Sequence, residues 1–179
     1  MADTSLRSAL RFHTRDLHTR LDATVGAFDS LATYRAFLIR SYQFRAALEP
    51  LLREPVYWAV QELSGFIRQD LDDLGVGDVV VPVGPLLPLE HASVLGALYV
   101  LEGSALGARL LFARAQRLGL SDQFGARHLA VQAGDTTRWK RFVGLLGSVQ
   151  LDQAAALASA HRMFAMALSI YSEPLVERA

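Results

Sequence analysis

The sequence predicts an all-α fold, a helical bundle formed by residues 1–179 as a single domain. Three observations predict it. Apolar residues recur at the 3.6-residue helical period in several long segments. The clearest break, residues 75–88, carries Pro82, which argues against a central strand. Hydrophobic residues make up 51% of the 179, enough for a well-filled core.

Leu6, Leu10, Leu17, Leu21 and Val25 give a first helix over 6–23 its apolar face. Thr4 or Ser5 suits its N-cap and Gly26 its end. Asp29 or Ser30 suits the cap of a second helix, 31–53, built on Leu31, Tyr34, Phe37, Leu38, Tyr42, Phe44, Leu48 and Leu51. Pro50 kinks or ends it. Pro55 opens a third helix through Tyr57, Trp58, Val60, Leu63, Phe66, Ile67 and Leu71. The acids of DLDDLG that follow resemble a calcium loop, but its twelfth position is Val81 rather than glutamate. That stretch therefore reads as a solvated helix end.

Residues 75–88, GVGDVVVPVGPLLP, read as an extended strap held against the body by its valines and leucines. From Leu89 one apolar helix runs to Leu118, and Gly119 ends it. At roughly 30 residues it is long for a globular domain. It also contains Gly96, Gly103 and Gly107, and each interior glycine costs about 1 kcal/mol relative to alanine. Short helical turns fill 121–137, a helix follows from 135 or 136 to 146, and a last helix spans 151–171, ending before Pro174.

Composition removes several classes. The formal net charge is zero, which does not suit a nucleic-acid binder. All but one of the 18 basic residues are arginine, the exception being Lys140. With no cysteine, thiol nucleophiles, disulfides and iron–sulfur ligation are excluded. No H-x-x-x-H, E-x-x-H, G-x-S-x-G, Walker A or G-x-G-x-x-G pattern occurs. The N-terminus lacks an apolar signal core, and no uninterrupted apolar run reaches the roughly 18 residues of a membrane span. A cytoplasmic protein is expected.

Chemistry concentrates in the first helix. At about 100° per residue, Arg11, Arg15 and Asp22 share a face with His18, which borders the apolar side. A carboxylate one turn from an imidazole can orient an iron ligand, and two guanidinium groups can clamp anions. Taken singly, a lone histidine there is more often a packed core residue, and the arginines are ordinary surface charges. Gly103-x-x-x-Gly107 bares two backbone patches on one helix face. Such a pair serves tight helix packing or close approach of a flat ligand. The spacing favours packing.

The segments HTRDLHTRLDA and YVLEGSALGA together resemble the haem oxygenases, particularly bacterial ones, and weaker likeness covers most of the chain. The resemblance implies haem b, both cofactor and substrate, between the first helix and a kinked, glycine-bearing distal helix. It implies oxygen- and reductant-dependent cleavage to biliverdin, carbon monoxide and iron. His18 matches the proximal iron ligand and Asp22 the acid on its other ring nitrogen. Arg11, Arg15 and Lys140 match basic residues near the propionates, and Phe164 an aromatic near the haem. Gly103 and Gly107 match the distal glycines. Ser104 stands where animal members have aspartate, so the water network delivering protons differs. Gly144 stands where they have an arginine that orients the haem.

The expected partners are haem, dioxygen and a separate electron donor, either a ferredoxin or a flavoprotein reductase, with a phytochrome as a candidate biliverdin acceptor. Nucleic acid and membrane are not expected. Two competing readings remain: a haem carrier without turnover, and a haem-free helical interaction protein.

Overall fold

A computed structural model describes residues 5–53, 58–85, 87–88 and 90–174. These residues form eight α-helices: α1 (Leu6–Val25), α2 (Leu31–Leu48), α3 (Ser64–Asp73), α4 (His91–Gly103), α5 (Ala105–Arg117), α6 (Arg127–Gly134), α7 (Arg138–Ser148) and α8 (Gln153–Ser172). Among the described residues the only β feature is an isolated bridge between Ser121 and Gly125.

Local chemistry accounts for several boundaries. The Ser5 hydroxyl accepts from the Ser8 N–H to start α1, and Gly26 ends it at φ 64°, a conformation glycine adopts without steric cost. Ser30 and Thr33 form a reciprocal capping box on α2. The Asp152 carboxylate caps α8 through the N–H groups of Ala154 and Ala155.

Elsewhere the structure departs from the sequence expectation. Helix α2 stops at Leu48, and Pro50 falls in a 3-10 turn, Glu49–Leu52, rather than in a helix reaching residue 53. Residues 58–63 are not helical. The expected opening of that helix at Pro55 and Tyr57 lies outside the described residues. Instead the buried Glu49 carboxylate accepts from the N–H groups of Leu63 (2.9 Å) and Ser64 (3.0 Å) and starts α3 there. A carboxylate at that end also meets the positive pole of the helix.

The strap over 75–85 packs only in part as expected: Val76 and Val79 lie against the core, whereas Val80, Val81 and Val83 are exposed, and hydrogen bonds do the rest. Arg68 donates to the carbonyls of Val76 and Gly77, and Gln43 to that of Val80. The long helix is kinked, as the resemblance implies: it breaks at Ser104 into α4 and α5. By length and composition, His91–Arg117 could cross a membrane, but half of its most apolar window is buried inside the fold.

Two apolar cores result. One joins α1, α4, α7 and α8 through Leu10, Leu98, Phe142 and Phe164. The other joins α2, α3 and α6 through Tyr34, Leu38, Ile67 and Leu129. Gly96 explains itself here. A Cβ on it would penetrate the backbone of Ala156, so its absence lets α4 lie directly on α8.

Candidate active site

A cavity of about 410 Å³ lies at the seam of the two cores. Phe37, Ile67 and Leu129 line it from one core, and Val100, Phe164 and Ala167 from the other. Helix α1 supplies His18, Leu21 and Asp22, and the α4–α5 junction supplies Gly103, Ser104 and Gly107. The volume falls within the range of small-molecule sites, roughly 300–1,000 Å³.

His18 is half-buried. Its ring sits edge-on to Phe164 at 4.6 Å and to Tyr99 at 5.8 Å between centroids. Burial lowers its pKa below the ordinary 6.5, and the nearby Asp22 charge opposes that shift. Near neutral pH the imidazole is therefore uncharged and has a lone pair to offer. Asp22 acts on it through charge and is itself exposed.

The opposite wall is glycine. A Cβ on Gly103 would sit 3.8 Å from His18 Cε1 and 3.9 Å from the Trp139 ring, and one on Gly107 would meet nothing within 4 Å. Neither glycine seats another helix backbone, so the packing role favoured by spacing is overturned for this pair. Gly96 alone of the three has it.

Hydrogen bonds from remote side chains accompany the break at Ser104. In a continuous helix the Ala105 N–H would donate to the Leu101 carbonyl. Here that carbonyl accepts from the Ser104 hydroxyl (2.7 Å) and from Arg45 Nη2 (3.4 Å). The Ala105 N–H instead donates to the Gln132 side-chain carbonyl (3.2 Å), oriented so that it also accepts from Arg45 Nη2 (3.1 Å). Arg45 Nη2 lies 3.0 Å from Ser104 Oγ as well. Beside the junction, the buried Glu102 carboxylate accepts from Trp58 Nε1 (3.0 Å) and from Arg138 Nε (2.7 Å), tying α4 to α7.

The inner end of the cavity is polar. Ser41 Oγ and Tyr171 Oη are 2.8 Å apart. His128 is buried, its Nδ1 lies 2.7 Å from Asp70 Oδ2, and its Nε2 has no protein partner. Burial lowers the His128 pKa, so Nδ1–H donates to the carboxylate and Nε2 carries the lone pair.

Six residues singled out from sequence therefore meet around one cavity: His18, Asp22, Gly103, Ser104, Gly107 and Phe164. Arg11, Arg15 and Lys140 do not line it. All three are exposed, Arg15 pairs with Asp16 at 3.8 Å, and the Arg11 charge acts on Tyr99. Sequence reasoning missed Arg45, Gln132, Ser41, Tyr171 and the role of His128. For Arg45 a signal existed: it falls on the same helical stripe as Tyr34, Leu38, Ser41 and Leu48, all buried.

No protein-family model matches the sequence. The chain is 37% identical over 164 residues to the heme oxygenase PigA of Pseudomonas aeruginosa, covering 83% of this chain and 81% of that protein. Its fold is similar to the crystal structure of NO- and CO-bound heme oxygenase from Neisseria meningitidis, with a TM-score of 0.74 and 27% identity over 94% of this chain and 90% of the other. With its all-α bundle and a glycine-walled cavity facing His18, the chain belongs to the haem oxygenase family.

Proposed function

We propose that the chain cleaves haem to biliverdin, carbon monoxide and iron, using dioxygen and electrons from a separate donor, with residues 1–179 acting as one unit. The observation that carries this reading is the pairing of a neutral, half-buried His18 with side-chain-free backbone at Gly103 and Gly107 across one cavity. Among the described residues no group of three or more His, Asp or Glu could hold a metal ion. A lone imidazole suits an iron whose other ligands come from a macrocycle.

The residues fit haem, and haem b is the form proposed. His18 would ligate the iron, Asp22 would steady its ring, and Phe164 would pack beside it. Arg11, Arg15 and Lys140, lying outside the lining, would meet the propionates at the outer edge. The Gly103 and Gly107 backbone would form the opposite wall. Haem brings both the iron that engages dioxygen and the ring edge that is oxidised.

The chain's own groups then do three things. Burial keeps His18 unprotonated and available. Phe37, Ile67 and Leu129 exclude bulk water, which strengthens every polar contact inside. The Ser104 hydroxyl, the Ser41–Tyr171 pair and the His128 Nε2 lone pair supply sites where ordered water and protons can be held.

Binding must also part the walls. A Cβ built on Gly103 would already stand one van der Waals contact, 3.8 Å, from His18 Cε1, so a flat ligand between them needs the walls further apart. Cytoplasmic location, a ferredoxin or flavoprotein donor, and a phytochrome acceptor for the biliverdin are parts of the same proposal.

The test is addition of hemin to purified protein, followed by ascorbate or a reductase system under oxygen. A Soret complex that converts to biliverdin bands is expected. A stable complex without turnover would favour the carrier reading, and no complex would leave the helical interaction protein.

A further inference from the structure

Arg45 is 7% exposed and Glu49 is fully buried, one helical turn apart. Nη1 of Arg45 donates to Glu49 Oε1 (3.1 Å) and to the Gln61 carbonyl (3.2 Å). Nη2 faces the other way, to the Leu101 carbonyl, Ser104 Oγ and the side-chain oxygen of Gln132. One guanidinium thus joins the start of α3, through Glu49, to the α4–α5 break and to α6. Leaving a charge buried is costly unless its hydrogen bonds are made. Here one of them is made to the Leu101 carbonyl, the acceptor that the Ala105 N–H would take in a continuous helix, and another to the Gln132 side chain that takes that N–H instead.

We propose that Arg45 is the positioning residue of the glycine wall: by taking the Leu101 carbonyl and holding Ser104 and Gln132, it opens the helix at Ser104 and sets how Gly103 and Gly107 face His18. The inference rests on the haem reading for what the wall does, but not for how the wall is held. Lysine cannot replace Arg45 here. A single ammonium lacks the planar fork that reaches Glu49 on one side and Leu101 and Ser104 on the other.

The decisive variant is Arg45→Met/Glu49→Met. It removes both charges at similar volume, a change that buried ion pairs commonly tolerate. Circular dichroism checks its fold, and Arg45→Lys is the fallback where the double variant does not fold. Two readouts follow. In the hemin-free protein, amide exchange at Ala105 slows at least tenfold, because Leu101 can now accept its N–H. In the hemin complex, the pH midpoint of the ferric acid-to-alkaline spectral change moves by at least one unit, and Arg45→Lys moves it in the same direction.

Unchanged or faster exchange at Ala105 would overturn the assignment. So would slowed exchange with an unmoved midpoint, which would make Arg45 a structural tie only. Slowed exchange in a protein that forms no hemin complex would instead overturn the haem reading and leave Arg45 as what opens the helix.

Discussion

Gly96 meets Ala156 so closely that any Cβ on the glycine would overlap the carbonyl of the alanine. Both partners are backbone, so neither can swing away. Gly96→Ala must push α4 off α8, and overpacking of this kind costs about 1–3 kcal/mol. At about 2–4 °C per kcal/mol for a chain of this size, a thermal melt should fall by several degrees. An unchanged melting temperature would mean that the two helices do not rest on each other as described.

Gly103 and Gly107 should respond in the opposite way. Gly107→Ala adds a Cβ into open space and gains helix propensity, about 1 kcal/mol at most. The protein should melt at the same temperature or slightly higher. Gly103→Leu should fold, yet fill the gap toward His18 and lower hemin affinity at least tenfold in a Soret titration. Wild-type affinity in Gly103→Leu would show that the ligand does not use that wall.

Stability should also fall in mild acid. Burial lowers the His128 pKa below its ordinary 6.5, against the pull of Asp70 and with the push of Arg45. Above 6.5 the residue is neutral in both folded and unfolded chains, so it contributes no pH dependence. Below 6.5 the unfolded chain takes up a proton that the folded one resists, and stability drops until the folded pKa is reached. Per site the slope cannot exceed about 1.4 kcal/mol per pH unit. Melting curves from pH 8 to pH 5 should show the decline, and His128→Asn, whose amide can still donate to Asp70, should flatten it. Parallel curves for the two proteins would remove His128 as a source.

What sequence could show depended on how local each cause was. Helix α1 was legible end to end because Ser5 and Gly26, its caps, adjoin it. The starts of α3 and α5 were not, because remote groups set them: Glu49 for α3, and Arg45 with Gln132 for α5. The same split runs through the site. His18, Gly103 and Gly107 stood out on their helical faces, but placement alone favoured a core histidine and a packing pair, and the resemblance of their two segments to a known family is what joined them into a site. The Asp70–His128 pair, distant in sequence, becomes a unit only when α3 and α6 pack together. The role of Gly96 was legible as a need but not as a partner, since only the fold brings Ala156 against it.

The last prediction concerns His18 and is read in binding rather than stability. Iron ligation requires the neutral imidazole. Burial holds the His18 pKa below the ordinary 6.5, with Asp22 partly restoring it. Hemin affinity should therefore be flat across neutral pH and fall only below that lowered value, approaching about tenfold per unit, since each unit then removes 1.36 kcal/mol of ligand availability. Asp22→Asn removes the charge that favours protonation, so the fall should begin at lower pH. His18→Ala should abolish the imidazole-ligand spectrum and the pH-dependent step together, and added free imidazole should restore the spectrum with an acid step at higher pH than in the wild type, because the free ring is not held down by burial. An acid limb unchanged in His18→Ala would place the proton-sensitive group elsewhere in the cavity and withdraw the assignment of His18 as ligand.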